Sequence, residues 1–419
     1  MESIIIGNFS EPANAQLSIA FSFVSKSCIT GDEKGNIIIW NDRKALKSKK
    51  ISSSSVWVLL SKKDNLYTGC QDGQVRIFNE NLDQLRSISV NKLTTFNPGV
   101  RALDINENNN ILIGTRGCEI ILFNELNKTR KFIVRSHYDA ELWGLAICPI
   151  NPFLLATGGD DHTLRIYNSS TNRMIKHLIL EHDFRCIDWS SDGKFIVVGS
   201  MFGKIFYIKI PEMEVVSSYI SIFKKKEEWI QEIKISPNNH FVAYGSHGSS
   251  FKIEILNILD NGQFSQYAVI NARVTSAITH LDWSVNSDFL VINSLAFELK
   301  FISLYDKKVI TASNANEIDW NTWTCIFGFP VQGIWNPDAT GYSVNYSCMS
   351  FNKKVVVTGD DYGFVKIFKS PCTVNNANSN IFKGHSSHIP KVRFSKDDLF
   401  LYSVGGNDKS LFVWETDFG

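Results

Sequence analysis

The chain has 419 residues, of which 44% are hydrophobic, 12% aromatic and 20% charged. This length exceeds the size of a single hydrophobic core, so either two domains or one array of repeats is expected. The formal net charge of +1 provides no overall field that would attract a nucleic acid or a membrane surface.

The N-terminal stretch 1–15 lacks a basic region followed by a long apolar core, so it does not resemble a signal peptide. No run of about 18 apolar residues that could cross a membrane follows it. The eight cysteines form no CxxC pair, and most lie in or beside apolar runs. This pattern favours free buried thiols in a reducing compartment, so we expect a cytoplasmic protein.

One repeated unit dominates the rest of the chain. An apolar run enters a glycine, a tight turn follows, and an alternating run such as residues 75–78 leads back, which predicts a β-hairpin. An apolar run precedes most hairpins and a more polar one follows, so each unit supplies the four strands of a WD-type propeller blade. The glycine and the apolar residue nine positions later are Gly31/Trp40, Gly69/Phe78, Gly114/Phe123, Gly158/Tyr167, Gly199/Ile208, Gly359/Phe368 and Gly405/Trp414.

The spacing of the hairpins predicts an all-β fold of WD40-type β-propellers. Most hairpins end 38 to 47 residues after the previous one, which matches a blade of about 40–45 residues. Residues 242–255 and 290–303 are degenerate copies. One step, from 301 to 368, is 67 residues long, and we expect an atypical blade within it, at about residues 305–340.

The last blade ends at residues 410–414 without an outer strand of its own. An unpaired strand edge leaves backbone N–H and C=O groups open to pairing with another chain. The run 130–135 is well placed to pair with this edge. We therefore predict one seven-bladed ring over residues 129–419, with one blade atypical. Residues 1–128 would hold three blades of a second, incomplete propeller.

Two sets of side chains combine histidine, acid and hydroxyl groups in a way that could suggest a catalytic triad. Both recur at blade spacing, which favours a structural role in fastening the inner loop to the hairpin. In the second set Val404 occupies the usual Ser/Thr position, so that set is incomplete. The sets are His137, Thr157, Asp161 and Tyr167, and His385, Asp408 and Trp414.

The sequence gives weak support to acid–base catalysis, metal binding or phosphate binding. The acidic pairs 160–161 and 360–361 lie in predicted turns, where aspartate is favoured for turn geometry. The histidines and cysteines show no metal-ligand spacing, and the Gly-x-Gly fragments open no helix that could hold a phosphate. A hydrolase that uses the central channel would need a convergent acid or histidine cluster. We predict no catalytic residue, no metal and no cofactor.

Several segments resemble the tandem propeller region of the echinoderm microtubule-associated-protein-like (EMAP-like) family. The most specific lies in 317–335, with Asp319-Trp320 and Gly333-Ile334-Trp335; others are 137–149, 278–284, 297–301 and 384–398. The resemblance implies association with microtubules and binding of tubulin by the propeller pair. Members usually also carry an N-terminal coiled coil and a hydrophobic motif. Neither occurs here, so we expect a fragment or a reduced relative, and a monomer.

These observations predict a non-catalytic, cytoskeleton-associated scaffold that binds tubulin or microtubules through rim loops, with no nucleic-acid or membrane partner. A few exposed aromatic, charged and basic side chains should supply the contacts. The alternative is a substrate receptor of a cullin-type ubiquitin ligase, because residues 40–43 approximate the WDxR signature of such receptors. The candidate contact residues are Glu141, Trp143, Glu228, Trp229, Lys224, Lys225 and Lys226.

Overall fold

A computed structural model describes residues 14–22, 27–41, 44–62, 64–94, 96–223, 228–248, 251–335, 344–375 and 377–417. Within these ranges the chain folds into nine antiparallel sheets, eight with four strands and one with three. The chain divides into two compact units, residues 1–138 and 139–419. The all-β prediction is confirmed.

The first unit contains three sheets whose strands pair in sequence order. The strands are β1 (Gln16–Phe21), β2 (Cys28–Asp32), β3 (Asn36–Asn41), β4 (Lys44–Lys50), β5 (Val56–Lys62), β6 (Asn65–Cys70), β7 (Gln74–Phe78), β8 (Gln84–Ser89), β9 (Val100–Ile105), β10 (Asn110–Thr115), β11 (Glu119–Asn124) and β12 (Arg130–Arg135). A short 3-10 helix spans Val90–Lys92.

The second unit contains five sheets of four strands and one of three. The strands are β13 (Leu142–Ile147), β14 (Leu154–Gly159), β15 (Thr163–Asn168), β16 (Arg173–Ile179), β17 (Phe184–Trp189), β18 (Phe195–Ser200), β19 (Lys204–Lys209), β20 (Glu214–Ile220), β21 (Trp229–Ile235), β22 (Phe241–His247), β23 (Lys252–Ile258), β24 (Phe264–Asn271), β25 (Ile278–Trp283), β26 (Phe289–Ser294), β27 (Leu299–Ser303), β28 (Lys308–Ile310), β29 (Val344–Met349), β30 (Val355–Asp360), β31 (Phe364–Lys369), β32 (Ser379–Lys383), β33 (Lys391–Phe394), β34 (Phe400–Val404) and β35 (Leu411–Glu415). Helix α1 (Ala312–Ala315) and 3-10 helices at Met201–Gly203 and Phe329–Ile334 complete the elements.

Burial rises from the outer to the inner strands of a blade, as the polarity of the sequence predicts. In the sheet β13–β16, the outer strand β16 is largely exposed, whereas the inner strand β13 is mostly buried. Some of the hairpins turn where the sequence places glycine: Gly73, between β6 and β7, has φ 73°, a conformation that glycine adopts without steric cost. Local turn chemistry and periodicity therefore agree with the blade fold.

An irregularity recurs at the start of the inner strands. One extra residue interrupts the pairing of the inner strand with its neighbour, which is a β-bulge. A bulge aims the inserted side chain away from the regular pleat, and in the second unit all five inserted residues line one cavity. The inserted residues are Leu17, Trp57 and Arg101 in the first unit and Trp143, Arg185, Gln231, Thr279 and Asn345 in the second.

The second unit closes into a ring. Strand β13 packs against β17, and the last sheet packs against β13. The Leu142 backbone N–H donates to the Gly406 carbonyl at 3.0 Å, and the Tyr402 hydroxyl donates to the Pro152 carbonyl at 2.8 Å. Leu142 and Tyr402 also share one buried apolar cluster. The first and last sheets of this unit are therefore direct neighbours.

The segment 317–335 lies between the sheets β25–β28 and β29–β32. Its described residues form no sheet of their own; a single bridge joins Trp320 to Ser284. The carboxylate of Asp282, on β25, accepts hydrogen bonds from the backbone of Thr324 at 2.6 Å and of Cys325 at 3.2 Å. On the other side, the Met349 backbone N–H donates to the Trp323 carbonyl at 3.0 Å. The segment thus contacts the sheets on both sides of it without forming strands, and the atypical blade at about residues 305–340 stays a prediction.

The prediction that the run 130–135 pairs with the last blade is wrong. Strand β12, the run 130–135, pairs with β11 as the outer strand of the third sheet, because a short turn brings it back at a small loss of chain entropy. The last sheet keeps three strands, and among the described residues no strand pairs with the outer edge of β35. The ring boundary between 128 and 129 stays a prediction.

Candidate protein-binding rim

A row of stacked side chains follows the rim of the second unit. Trp143 and Arg185 are the bulged residues of β13 and β17, and Trp229 begins β21. The guanidinium carbon of Arg185 lies 4.2 Å from the ring centroid of Trp143 and 4.6 Å from that of Trp229. One cation is therefore held between two indoles that come from the blades on either side of it.

Two histidines extend this row at its ends. The ring of His247 stacks on Trp229, with centroids 4.1 Å apart and an angle of 9° between planes. The ring of His388 lies 5.6 Å from that of Trp143 at an angle of 50°. We call the five residues the rim ladder: His388, Trp143, Arg185, Trp229 and His247. It draws on four blades of the ring and is partly buried along its length.

Hydrogen bonds hold both indoles in place. Trp143 Nε1 donates to the Asp160 carboxylate at 3.1 Å, and Trp229 Nε1 donates to Gln231 Oε1 at 2.7 Å. Arg185 Nε is buried without a hydrogen-bond partner among the described residues. Each cation–π contact contributes about 0.5–1 kcal/mol when exposed and ~2 when desolvated. The ladder is thus ordered before any partner arrives.

Burial and the charge of Arg185 act on the pKa of His247, in the ladder, and of Asp160, beside it. Burial, and then the positive charge of Arg185, lower the pKa of His247. Burial raises the pKa of Asp160, against the hydrogen bond from Trp143 and the charge of Arg185. Near neutral pH the lowered pKa leaves His247 uncharged, so Arg185 is the cation of this part of the ladder.

A cavity of about 490 Å³ opens beside the ladder. It is lined by Trp143, Arg185 and His388 at the rim and by Glu232 and Lys391 deeper in the channel. Lys391 Nζ lies 2.5 Å from Glu232 Oε2, and the Tyr346 hydroxyl donates to Glu232 Oε1 at 3.1 Å. Burial alone would raise the pKa of Glu232, but Lys391 and two further cations lower it. A buried ion pair therefore lines the deep part of this cavity.

The first unit repeats part of this arrangement. Trp57 and Arg101 are the bulged residues of its consecutive inner strands β5 and β9. The guanidinium carbon of Arg101 lies 3.7 Å from the Trp57 ring centroid. Both units thus present a tryptophan followed, one blade later, by an arginine at the same position of the blade.

The predicted contact residues lie in different environments in the structure. Trp143 and Trp229 lie in the ladder, and Glu141 lies beside it, with one carboxylate oxygen 3.8 Å from His388 Nε2. Glu228 is only 5% exposed and packs against Gly248, where a Cβ would come within 2.3 Å of its side chain. Lys224, Lys225 and Lys226 lie outside the described residues.

The sequence interpretation missed Arg185, His247 and His388. A signal for Arg185 was present, because it occupies the same offset in FRCIDW as Trp143 does in LWGLAI. The two histidines come from different parts of their blades, His247 at the end of β22 and His388 before β33. Nothing in the repeat spacing places them on one row.

The histidine set of the last blade is complete in the structure, which corrects the expectation about Val404. Ser403 supplies the hydroxyl: it accepts from Trp414 Nε1 at 2.9 Å and lies 2.8 Å from His385 Nε2. His385 Nδ1 lies 3.2 Å from Asp408 Oδ2. His385 is 1% exposed, and its hydrogen bonds join the inner loop to the hairpin.

In the first histidine set, the hydrogen-bond partners of the Asp161 carboxylate lie in its own hairpin. Its carboxylate accepts from Thr163 Oγ1 at 2.7 Å and from an Arg165 guanidinium nitrogen at 2.9 Å. Thr157 is fully buried and His137 is 3% exposed. The fastening role of His137, Thr157, Asp161 and Tyr167 stays a prediction.

The described residues also bear on the expectations for metal ligands, membrane spans and cysteines. Among the residues that the structure covers, no group of three or more His, Cys, Asp or Glu side chains could hold a metal ion. No helix in the described ranges is long and apolar enough to cross a membrane. The eight cysteines are free, and six of them are buried; burial raises the pKa of the Cys70 thiol to about 11.

The four-stranded sheets, the closed ring and the bulged strand starts define a WD-type β-propeller protein. The chain belongs to the EMAP-like family. A family model described as the second β-propeller of the echinoderm microtubule-associated protein matches residues 142–416. The match begins at the first residue of β13 and ends just after β35, so it covers the whole ring of the second unit.

Similar curated proteins carry the same family name. The chain is 32% identical to echinoderm microtubule-associated protein-like 1 of Mus musculus over 392 residues, which are 92% of this chain and 47% of the relative. It is 28% identical to the human echinoderm microtubule-associated protein-like 4 over 431 residues, 98% of this chain and 42% of the relative. The chain therefore spans about half the length of these relatives. The comparisons give no support to a cullin-adaptor role, and Arg43 lies outside the described residues.

Proposed function

We propose that the chain is a non-catalytic, cytoplasmic scaffold that associates with microtubules and binds tubulin through the rim of its second unit. The relatives are named for microtubule association, which supplies the partner. Arg185, held between Trp143 and Trp229, is the observation that carries the choice of surface.

The composition of the ladder fits a protein interface. Tryptophan and arginine are enriched among the residues that dominate binding energy, and such residues cluster where packing excludes water. Fixing them before binding lowers the entropy that association must overcome. Because Arg185 is the cation at the centre of this row, an acidic or carbonyl-rich partner surface would complement it. Tubulin, whose tails are acidic, is such a partner.

Binding should be tested first on the whole chain. We expect it to co-sediment with taxane-stabilised microtubules or to be retained on immobilised tubulin at micromolar concentration. Trp229→Ala should weaken binding, whereas Tyr305→Ala, which removes an aromatic side chain that is 91% exposed and absent from the ladder, should not. Failure of the chain to bind either form of tubulin, also when upstream blades of a relative are restored, would contradict the proposal.

A further inference from the structure

A second cavity, of about 400 Å³, lies at the other end of the innermost strands of the second unit. The rim cavity is lined by the starts of these strands, whereas this one is lined by their ends, for example residues 146–149 and 234–236. The buried group of Glu232, Lys391 and Tyr346 lines the rim cavity and not this one. We call the second space the distal cavity.

The distal cavity is lined by hydrogen-bond donors that lack acceptors. The side chain of Arg393 is 10% exposed, and neither of its terminal nitrogens has a hydrogen-bond partner among the described residues. The indole nitrogen of Trp323, in the same lining, is also buried without a partner in the described ranges. Because arginine and indole nitrogens only donate, both groups call for an acceptor.

The nearest carboxylate does not satisfy Arg393. Glu232 Oε1 lies 3.7 Å from the Arg393 guanidinium and 4.0 Å from Lys234 Nζ, beyond hydrogen-bond distance. That carboxylate is bonded instead to Lys391 and Tyr346. Lys234, whose side chain is 7% exposed, therefore adds a third buried donor to the lining.

The charge of the lining is positive. Four basic side chains, of Lys234, Lys353, Arg393 and Lys396, face two acidic ones, of Asp188 and Asp319. Asp319 pairs with Lys353 at 2.6 Å near the surface. Burial raises the pKa of Asp188. The excess of buried donors and the excess of positive charge both favour an anion with several acceptor oxygens.

We propose that the distal cavity binds a phosphate group, either as inorganic phosphate or as the head of a small phosphomonoester. Arg393 and Lys234 would bind its oxygens, and Lys396 would attract it to the entrance. The volume falls within the range of small-molecule sites, about 300–1,000 Å³, so it leaves room for a small ester group beside the partly buried rings of Trp320 and Phe351. This site is independent of the tubulin proposal.

Calorimetric titration of the whole chain with inorganic phosphate, at constant ionic strength set with chloride, tests the proposal. We expect saturable binding of one equivalent, weakened at least about tenfold by Arg393→Gln, which corresponds to ~1.4 kcal/mol. Arg173→Gln, an exposed substitution on β16 of the same unit, should leave the affinity unchanged. A parallel titration with phenyl phosphate distinguishes the two sources: tighter binding of the ester favours a phosphomonoester, and equal binding favours the free ion.

Two further measurements keep the test decisive if Arg393→Gln does not fold. Lys396→Gln, at the entrance, should weaken phosphate binding about threefold without unfolding the ring. Crystals soaked with arsenate should show an anomalous peak within hydrogen-bond distance of Arg393. Absence of binding to the unmodified chain, equal affinity in folded Arg393→Gln, or an arsenate peak elsewhere with this cavity unlabelled would each overturn the proposal.

Discussion

Asp282→Ala tests how the irregular segment 317–335 is held in the ring. The carboxylate of Asp282 is fully buried and accepts from the backbone N–H groups of Thr324 and Cys325 and from the hydroxyls of Thr322 and Thr324. Alanine leaves two buried N–H groups without an acceptor, at a cost of about 1–3 kcal/mol each. The hydroxyls can turn to other acceptors. We expect a loss of about 4 kcal/mol.

Guanidinium unfolding followed by tryptophan fluorescence measures this loss, because Trp320 and Trp323 lie in the segment. Hydrogen exchange of the peptide 317–335 should accelerate in the same variant. Asp288→Ala, an exposed aspartate in the same blade, should change the stability by less than about 0.5 kcal/mol. A loss under about 1 kcal/mol for Asp282→Ala, with unchanged exchange in the segment, would refute the anchoring role.

Three smaller predictions concern single residues. Burial lowers the pKa of His280 to about 4, so as the pH falls the unfolded chain binds a proton at this residue before the folded chain does. The contribution of His280 to the free energy of unfolding should be complete above pH 6.5 and fall by roughly 2.5 kcal/mol by pH 4.5. His280→Asn should remove this decrease when unfolding is measured at both pH values. Ser403→Ala should cost about 1–2 kcal/mol and shift Trp414 fluorescence, because it removes the hydroxyl bonded to that indole and facing His385; an unchanged melting temperature and spectrum would contradict it. Gly328→Ala should destabilise by at least about 2 kcal/mol, because φ is 134° and a Cβ would come within 2.2 Å of the Trp323 ring; wild-type stability in thermal unfolding would count against this packing.

The blades could be predicted because their determinants are local. A glycine at the turn and an alternating run beyond it specify a hairpin within about a dozen residues, as at Gly69 to Phe78. Segment 317–335 could be recognised as unusual but not built. Its shape depends on Asp282, which lies about forty residues earlier in the chain, and on the backbone of Gly328.

The rim ladder was only partly predictable for a similar reason. Trp143 and Trp229 were identified as aromatic candidates, yet their order with Arg185 depends on three blades meeting around one ring. Glu228 was named as a candidate contact residue, and the structure buries it against Gly248. Strand β12 shows the opposite case, where a long-range pairing was expected and a short turn produced a local one.

The affinity of the chain for the tubulin dimer in the Arg185→Gln variant tests the central proposal most directly. Thermophoresis with labelled tubulin should show binding at least about tenfold weaker than for the unmodified chain, because glutamine removes the charge held between the two indoles. Arg173→Gln, which removes an exposed positive charge of the same unit outside the ladder, should bind like the unmodified chain. Equal affinity in all three proteins, or an equal loss in both variants, would contradict a tubulin site on the ladder.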